Sequence, residues 1–197
     1  QDLSFKVSRG EKVAILGING IGKSTLLKTA LGLIAPTNGN VKWGYNTKYS
    51  YFSQDHHDVI KGTVSAIDWL MNAAHISNIG TIRGALAKML LTQDQADKLV
   101  NVLSGGEAAR VLFAKIMLEE ANVLILDEPT NHLDLESRIA LANSLKAFDG
   151  TIVFVSHDRH FISTIADRII FLHKGKTIDF SGKYSEFRKK YSKFFEA

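Results

Sequence analysis

The stretch Gly17-Ile18-Asn19-Gly20-Ile21-Gly22-Lys23-Ser24-Thr25 constrains this chain more than any other. Two glycines separated by four residues and followed by Lys and a hydroxyl have the spacing of a phosphate-binding loop. Glycines let successive backbone N–H groups curl toward one centre, and a helix starting at Gly22 adds its positive end to the same anion site. Lys23 is placed to reach the β and γ phosphates of a nucleoside triphosphate, and the Ser24 hydroxyl to ligate Mg²⁺. Gly17, Asn19, Gly20, Gly22 and Thr25 complete the cradle. The setting agrees: Lys12 to Leu16 reads as a buried strand running into the loop, and Leu26, Leu27, Ala30, Leu31 and Ile34 share one face of the helix after it.

Composition narrows the class. In 197 residues, 45% hydrophobic and 22% charged, there is room for a substantial core and no case for disorder. No apolar run approaches the roughly 20 residues of a membrane span, so a soluble protein with no membrane partner is expected. Zero cysteines exclude disulfides, thiolate metal sites and cysteine nucleophiles, which fits the cytoplasm. A net charge of +4 permits a polyanionic partner but is more often a plain solvated surface. The chain opens on the alternating Leu3-Ser4-Phe5-Lys6-Val7, which reads as the middle of a sheet, so a piece of a longer protein cut at its N-terminus is expected.

Taken in order, residues 1–54 predict strand, strand, helix and two further strands, Val41 to Tyr45 and Lys48 to Ser53, with Ala35 to Gly39 as a turn. Strand signals then vanish. Val64 to Ala74 and Ile82 to Leu91 read as helices, and Thr92-Gln93-Asp94-Gln95 as a capping box that opens a third. Gly106 to Glu119 is apolar enough for a buried helix. Alternation resumes with strand Val123 to Asp127, helix Glu136 to Phe148, strand Thr151 to Ser156, helix Asp158 to Ala166, and strands Arg168 to His173 and Lys176 to Phe180. A basic aromatic helix, Tyr184 to Phe195, closes the chain. Strands alternating with helices imply an α/β domain with a mainly parallel sheet. Residues 1–60 and 104–197 form a nucleotide lobe in this reading, and 61–103 a helical subdomain.

Two more constellations carry chemistry. Val123-Leu124-Ile125-Leu126-Asp127-Glu128 places two carboxylates at the carboxyl end of a buried strand, where ligands meet parallel sheets. Asp127 is assigned to Mg²⁺ and Glu128 to the water that attacks the γ phosphate. Leu103-Ser104-Gly105-Gly106-Glu107 is a second Gly-rich segment opening a helix, hence a second anion site made by the Ser104 hydroxyl, backbone N–H groups and helix dipole. One domain does not need two.

Together with the helical insertion, that order resembles the ATP-binding cassette (ABC) family across practically the whole chain, implying a P-loop NTPase fold with a helical subdomain that hydrolyses ATP. In the family, the signature segment of one domain, here Ser104, Gly105 and Gly106, covers the nucleotide held by the phosphate loop of another, so a second ABC cassette is the implied partner. Gln54 corresponds to the glutamine that contacts Mg²⁺ and the attacking water. His157 corresponds to the switch histidine at the γ phosphate, and Asp134 sits in the loop that crosses to the partner. His56 and His57 are adjacent and lack a partner acid at metal-site spacing, so they predict no metal centre.

Pro129-Thr130-Asn131-His132-Leu133-Asp134, Ser156 to Phe161 and Phe180 to Tyr184 are similar to segments of the ABC-F family, whose members carry two cassettes in one chain and act on ribosomes. The text around Trp43 and Gln54-Asp55-His56 resembles the second cassette of YbiT-like members. The resemblance implies a tandem protein of the cytoplasm with the ribosome and its rRNA as partners and no DNA. Two departures stand out. Ala108 and Ala109 occupy positions where ABC-F signatures commonly carry a Lys near the partner's nucleotide, and the family's adenine-stacking aromatic would lie upstream of residue 1. A transporter motor subunit is the competing function, and Asn131 to Asp134 speaks against it. DNA-repair ATPases are excluded because no sustained heptads lie between Thr25 and Leu103. On the last helix, Tyr184, Phe187, Tyr191, Phe194 and Phe195 form a stripe that predicts docking on the core, with Arg188, Lys189, Lys190 and Lys193 off it as an optional RNA-facing surface.

Overall fold

The computed structural model describes residues 3–53, 59–173 and 175–194. Its centre is a six-stranded sheet in the order β2-β3-β4-β1-β5-β6, built from β1 (Lys12–Gly17), β2 (Tyr49–Phe52), β3 (Val123–Asp127), β4 (Thr151–Val155), β5 (Arg168–His173) and β6 (Lys176–Ser181). The first five run parallel and only β6 returns antiparallel on β5. Both faces are covered, which is why the parallel strands read as continuous apolar runs. Within β1 the pleat splits the run, because successive side chains point to opposite faces. Val13 and Ile15 join one buried cluster with Leu27 and Leu31, while Ala14 and Leu16 join the larger one on the other face.

One face carries α1 (Lys23–Ala30) and the other α5 (Gly105–Leu118), α6 (Leu135–Lys146), α7 (Arg159–Ile165) and α8 (Tyr184–Lys190). Helix α5 lies against β2. The rings of Phe52 and Phe113 stack there at 4.2 Å between centroids, both fully buried, and truncating either to Ala would cost about 3–5 kcal/mol. Between β2 and α5 come α2 (Ala66–Ala74), α3 (Ile79–Lys88) and α4 (Gln93–Asp97). Leu70, Ile82, Leu86 and Met89 bury this insertion against α5. Its two ends are tied at the base: Ala66 N–H donates to Lys98 O at 2.9 Å and Val100 N–H to Val64 O at 2.9 Å. The expected capping box forms at Thr92 and Gln95. Among the described residues no helix is long and apolar enough to cross a membrane.

Four sequence expectations need correction. Leu3 to Val7 forms no strand, although Leu3, Phe5 and Val7 do pack on the smaller cluster. Alternation secures burial, but a ladder needs an edge, and both edges of β1 are taken by β4 and β5. Val41 to Tyr45 likewise forms no ladder and runs into a turn at Tyr45, all five residues exposed; Trp43 is fixed by its indole N–H on Ala30 O and by stacking on Tyr49. Helix α1 stops at Leu31, followed by Gly32 at φ 75°, so Ile34 leaves the apolar face and stays exposed. The closing helix ends at Lys190 instead of Phe195. Tyr191 at φ −118° breaks it, and a 3₁₀ turn over Ser192–Phe194 swings Phe194 onto Phe171 and His173, which a straight helix would pass by.

Candidate functional site

Helix α1 opens differently from the six that follow it. Helices α2 to α7 each begin on a Ser, Asn, Thr or Asp whose side chain accepts a first-turn N–H, whereas α1 begins on Gly22 with no side-chain cap. Its first-turn N–H groups are therefore left without a side-chain cap, as the expected anion site requires. The loop is wound by Gly20 at φ 76° and Gly22 at φ 102°, both in the left-handed region. Gly17 is needed for another reason: a Cβ there would stand 2.7 Å from Leu172 O of the neighbouring strand. Asn19 and Gly20 are exposed at the rim, as is Thr25.

Three strand ends bring the candidate side chains together. Lys23 is buried, and its ammonium donates to Gly17 O at 2.9 Å and Ile18 O at 3.2 Å. Burial pulls its pKa down from the ordinary lysine value, against the opposing pull of the Glu128 and Asp127 carboxylates. Ser24 Oγ donates to Asp127 Oδ1 at 3.1 Å, joining α1 to the end of β3. Asp127 and Glu128 are both buried.

Glu128 adopts φ 50°, unusual for a residue with a Cβ, while its N–H still donates to Val155 O at 3.0 Å. Backbone strain of this kind costs on the order of 1–3 kcal/mol and clusters at working sites. Beyond β4, His157 meets this carboxyl twice: its N–H donates to Oε2 at 3.3 Å and its Nε2 lies 3.3 Å from Oε1. Burial raises the Glu128 pKa above the ordinary carboxyl value, with His157 and Lys23 working against the shift and Asp127 adding to it. A carboxyl so raised is suited to take a proton from water near neutral pH.

The residues fit Mg²⁺. Ser24 and Asp127 offer two hard oxygen donors side by side, and this ion characteristically takes one or two protein oxygens and leaves its other positions to water and phosphate. Gln54, His56 and His57 lie outside the described residues.

The signature segment is assembled separately, at the start of α5. Ser104 and Glu107 form a capping box, Ser104 Oγ accepting from Glu107 N–H at 3.2 Å and Ser104 N–H donating to Glu107 Oε2 at 2.8 Å. The other Glu107 oxygen accepts from Lys98 at 2.7 Å. Burial works against this charge, but Lys98 and Ser104 outweigh it and hold the Glu107 pKa below the ordinary carboxyl value. Gly106 is pressed on the segment after Glu128, where a Cβ would stand 2.8 Å from His132 O. Asp134 caps α6 by accepting Ser137 N–H at 2.7 Å, which lowers its pKa and leaves the residue exposed.

Thus Lys23, Ser24, Asp127, Glu128 and His157 converge, while Ser104, Gly105, Gly106 and Asp134 lie in a second group that meets the first through the Glu128–Asp134 loop. Ala108 and Ala109 are fully buried, so side chains there point into the fold instead of toward a neighbour. Sequence reasoning missed Lys98, because nine positions of separation and an intervening 3₁₀ turn hide its pairing with Glu107. It also missed Thr130 and Ser156, whose buried hydroxyls meet at 3.2 Å and tie the loop after β3 to the loop after β4. The run of hydroxyls at strand ends was the available signal.

The model of the ABC transporter family matches residues 1–131. The chain is 43% identical over 188 residues to "Probable ATP-binding protein YbiT" of Escherichia coli O157:H7, covering 95% of this chain and 36% of that protein. It is 40% identical over 188 residues to "ABC transporter F family member 5" of Arabidopsis thaliana, covering 95% and 27%. Among solved structures it resembles the RNase-L Inhibitor, with a TM-score of 0.76 and 27% identity over 94% of this chain and 37% of that one. It also resembles a chain in the complex of archaeal ribosomal stalk protein aP1 and archaeal ribosome recycling factor aABCE1, with a TM-score of 0.78 and 29% identity over 95% and 38%. The chain thus spans well under half of each of these four proteins.

Proposed function

The chain belongs to the ABC transporter family and, within it, to the ABC-F cassettes, and on that premise we propose that it hydrolyses ATP as one of two paired cassettes in a longer protein whose closing and opening acts on the ribosome. It is an ATP-binding ABC ATPase domain. The pairing rests on one observation: Lys23, Ser24, Asp127, Glu128 and His157 form one cluster, while Ser104 opens a second glycine-led helix N-terminus outside it, its hydroxyl and N–H engaging, among the described residues, Glu107 of its own helix. A second anion site on the same domain is explained if it completes the nucleotide site of another cassette.

In this reading Lys23 and the first turn of α1 hold the β and γ phosphates, and Ser24, Asp127 and Gln54 hold Mg²⁺. When bound, that ion neutralises charge on the phosphates. Glu128 accepts the proton of the attacking water. His157 keeps both Glu128 oxygens aimed and offers its half-exposed ring to the γ phosphate. Gly105 and Gly106 let the partner's nucleotide approach the α5 backbone, and Asp134 faces the partner. The ribosome is supported by the resemblance to ABC-F proteins and by the likeness to a chain in the complex of an archaeal ribosomal stalk protein with a ribosome recycling factor. Action on the ribosome places the protein in the cytoplasm.

The test is Gly105→Ala in the two-cassette protein, chosen over Gly106, whose added Cβ would displace the segment after Glu128 in its own domain, with ATP binding and turnover measured together. Binding at this cassette should persist while turnover falls by roughly tenfold or more, as expected when an oriented contact is displaced. Turnover at the parental rate in a folded variant would contradict the pairing.

A further inference from the structure

His157 is flanked by two anchors that lead back to the loop following Glu128. On one side, the buried hydroxyls of Ser156 and Thr130 meet at 3.2 Å. On the other, Asp158 is held through its N–H and both carboxylate oxygens. The N–H donates to Ser156 Oγ at 3.1 Å, Oδ1 accepts Phe161 N–H at 2.9 Å, and Oδ2 lies 3.5 Å from a terminal guanidinium nitrogen of Arg138. Arg138, in the first turn of α6, also donates from Nε to Leu133 O at 2.9 Å. A single planar fork thus joins the loop after β3 to the residue that follows His157.

We propose that Arg138 is a positioning residue: by clamping Leu133 O to Asp158 it sets where His157 meets Glu128. The hydroxyl pair cannot do this alone. It fixes Ser156, but the backbone torsions beyond Ser156 still let His157 swing, and Arg138 removes that freedom by holding the residue on its far side. The loop end of the clamp is equally short of slack, since Asn131 N–H donates to Glu128 O at 3.2 Å and Leu133 N–H to Thr130 O at 3.3 Å, so a shift at Leu133 is passed back toward Glu128. Both His157 contacts to Glu128 stand at 3.3 Å, where a small displacement weakens them steeply. Stability alone gives the pair little reason to be there. Arg138 is half-exposed, which makes the ion pair a minor contributor to the fold, and α6 and α7 are already packed on each other through the larger apolar cluster to which Leu141, Phe161 and Ile165 belong. That the aim of His157 serves hydrolysis rests on the ATPase reading above; the clamp itself does not.

The experiment follows exchange of individual amide protons by NMR in the isotope-labelled chain, and steady-state turnover in the two-cassette protein. Arg138→Met keeps the apolar stem and deletes the fork. The His157 N–H should then exchange on the order of tenfold faster, because its bond to Glu128 Oε2 opens locally, while Phe161 N–H, still capped by Asp158 Oδ1, keeps its protection. In turnover, kcat should fall by roughly tenfold at unchanged KM for ATP, the split expected when a group is misaligned without loss of substrate binding. Arg138→Lys puts one point donor in place of a fork that reaches two acceptors, so it should recover only part of each effect. Unchanged His157 exchange in Arg138→Met would overturn the proposal. So would a parental kcat beside faster exchange, or an equal loss of protection at Phe161, which would make Arg138 a support of α7 alone. If the parent shows no turnover while His157 exchange still quickens in the variant, the hydrolysis reading fails and the clamp stands.

Discussion

His157 holds Glu128 by two contacts at once, its backbone N–H on one carboxylate oxygen and its ring Nε2 beside the other, each at 3.3 Å. The carboxyl is thereby aimed by residues from two strand ends, β3 and β4, and movement of either loop changes its direction. This is the arrangement expected of a base that must act only when nucleotide and partner are both in place.

Glu128→Gln should keep ATP binding and reduce turnover by roughly a hundredfold or more, because the amide keeps the shape but cannot take a proton. It should also raise thermal stability at neutral pH. Burial raises the Glu128 pKa above 4.5, so the native state binds this proton more tightly than the unfolded chain. Ionisation therefore costs stability, increasingly as pH rises from the ordinary carboxyl value through the raised one, and the cost is absent below both. Melting curves of parent and variant should converge toward acid and separate toward pH 7. A variant less stable than its parent at pH 7 would contradict the buried-carboxylate account.

Lys23→Ala should remove at least about 2 kcal/mol of ATP affinity, the scale of charge-assisted hydrogen bonds to a buried anion. Calorimetry with MgATP decides it. The fold should survive, since Lys23 contacts only the loop carbonyls Gly17 O and Ile18 O among its hydrogen bonds described here.

Lys98→Ala should loosen the start of α5. Glu107 then stays buried with its Ser104 bond but without its cation, at a cost of about 1 kcal/mol, kept small because Lys98 is 43% exposed. The lowered Glu107 pKa sets the sign: this stabilisation is present above the ordinary carboxyl value and fades as pH falls through the lowered one. Denaturant titrations at pH 7 and in acid should show a deficit only at pH 7. A deficit of equal size in acid would point to lost packing instead of lost charge.

That Lys23, Ser24, Asp127, Glu128 and His157 come together was legible because each sits at the end of a strong signal. Lys23 and Ser24 follow a glycine pattern, Asp127 and Glu128 end an unbroken apolar strand, and His157 follows another. Of the insertion's helices only the third was read from its cap, at Thr92; the second was placed at Ile82 to Leu91, whereas Asn78 caps it three residues earlier and Leu90 at φ 57° closes it. What failed was whatever depends on a third body. Leu3 to Val7 and Val41 to Tyr45 alternate like strands, yet pairing is settled by which edges are open. The break at Tyr191 follows from the attraction of Phe194 to Phe171 and His173 across the sheet, which local propensity does not carry. The Lys98–Glu107 pair and the Gly106–His132 approach join segments that meet only after folding.

The most direct measurement is ribosome cosedimentation of the two-cassette protein carrying Glu128→Gln and the matching change in its other cassette. Blocking hydrolysis accumulates whatever state ATP favours. With ATP this protein should pellet with ribosomes, without ATP much less, and adding Lys23→Ala should release it. If the Lys23→Ala form pellets as well as the trapped one, the association follows from positive charge alone and ATP does not gate it.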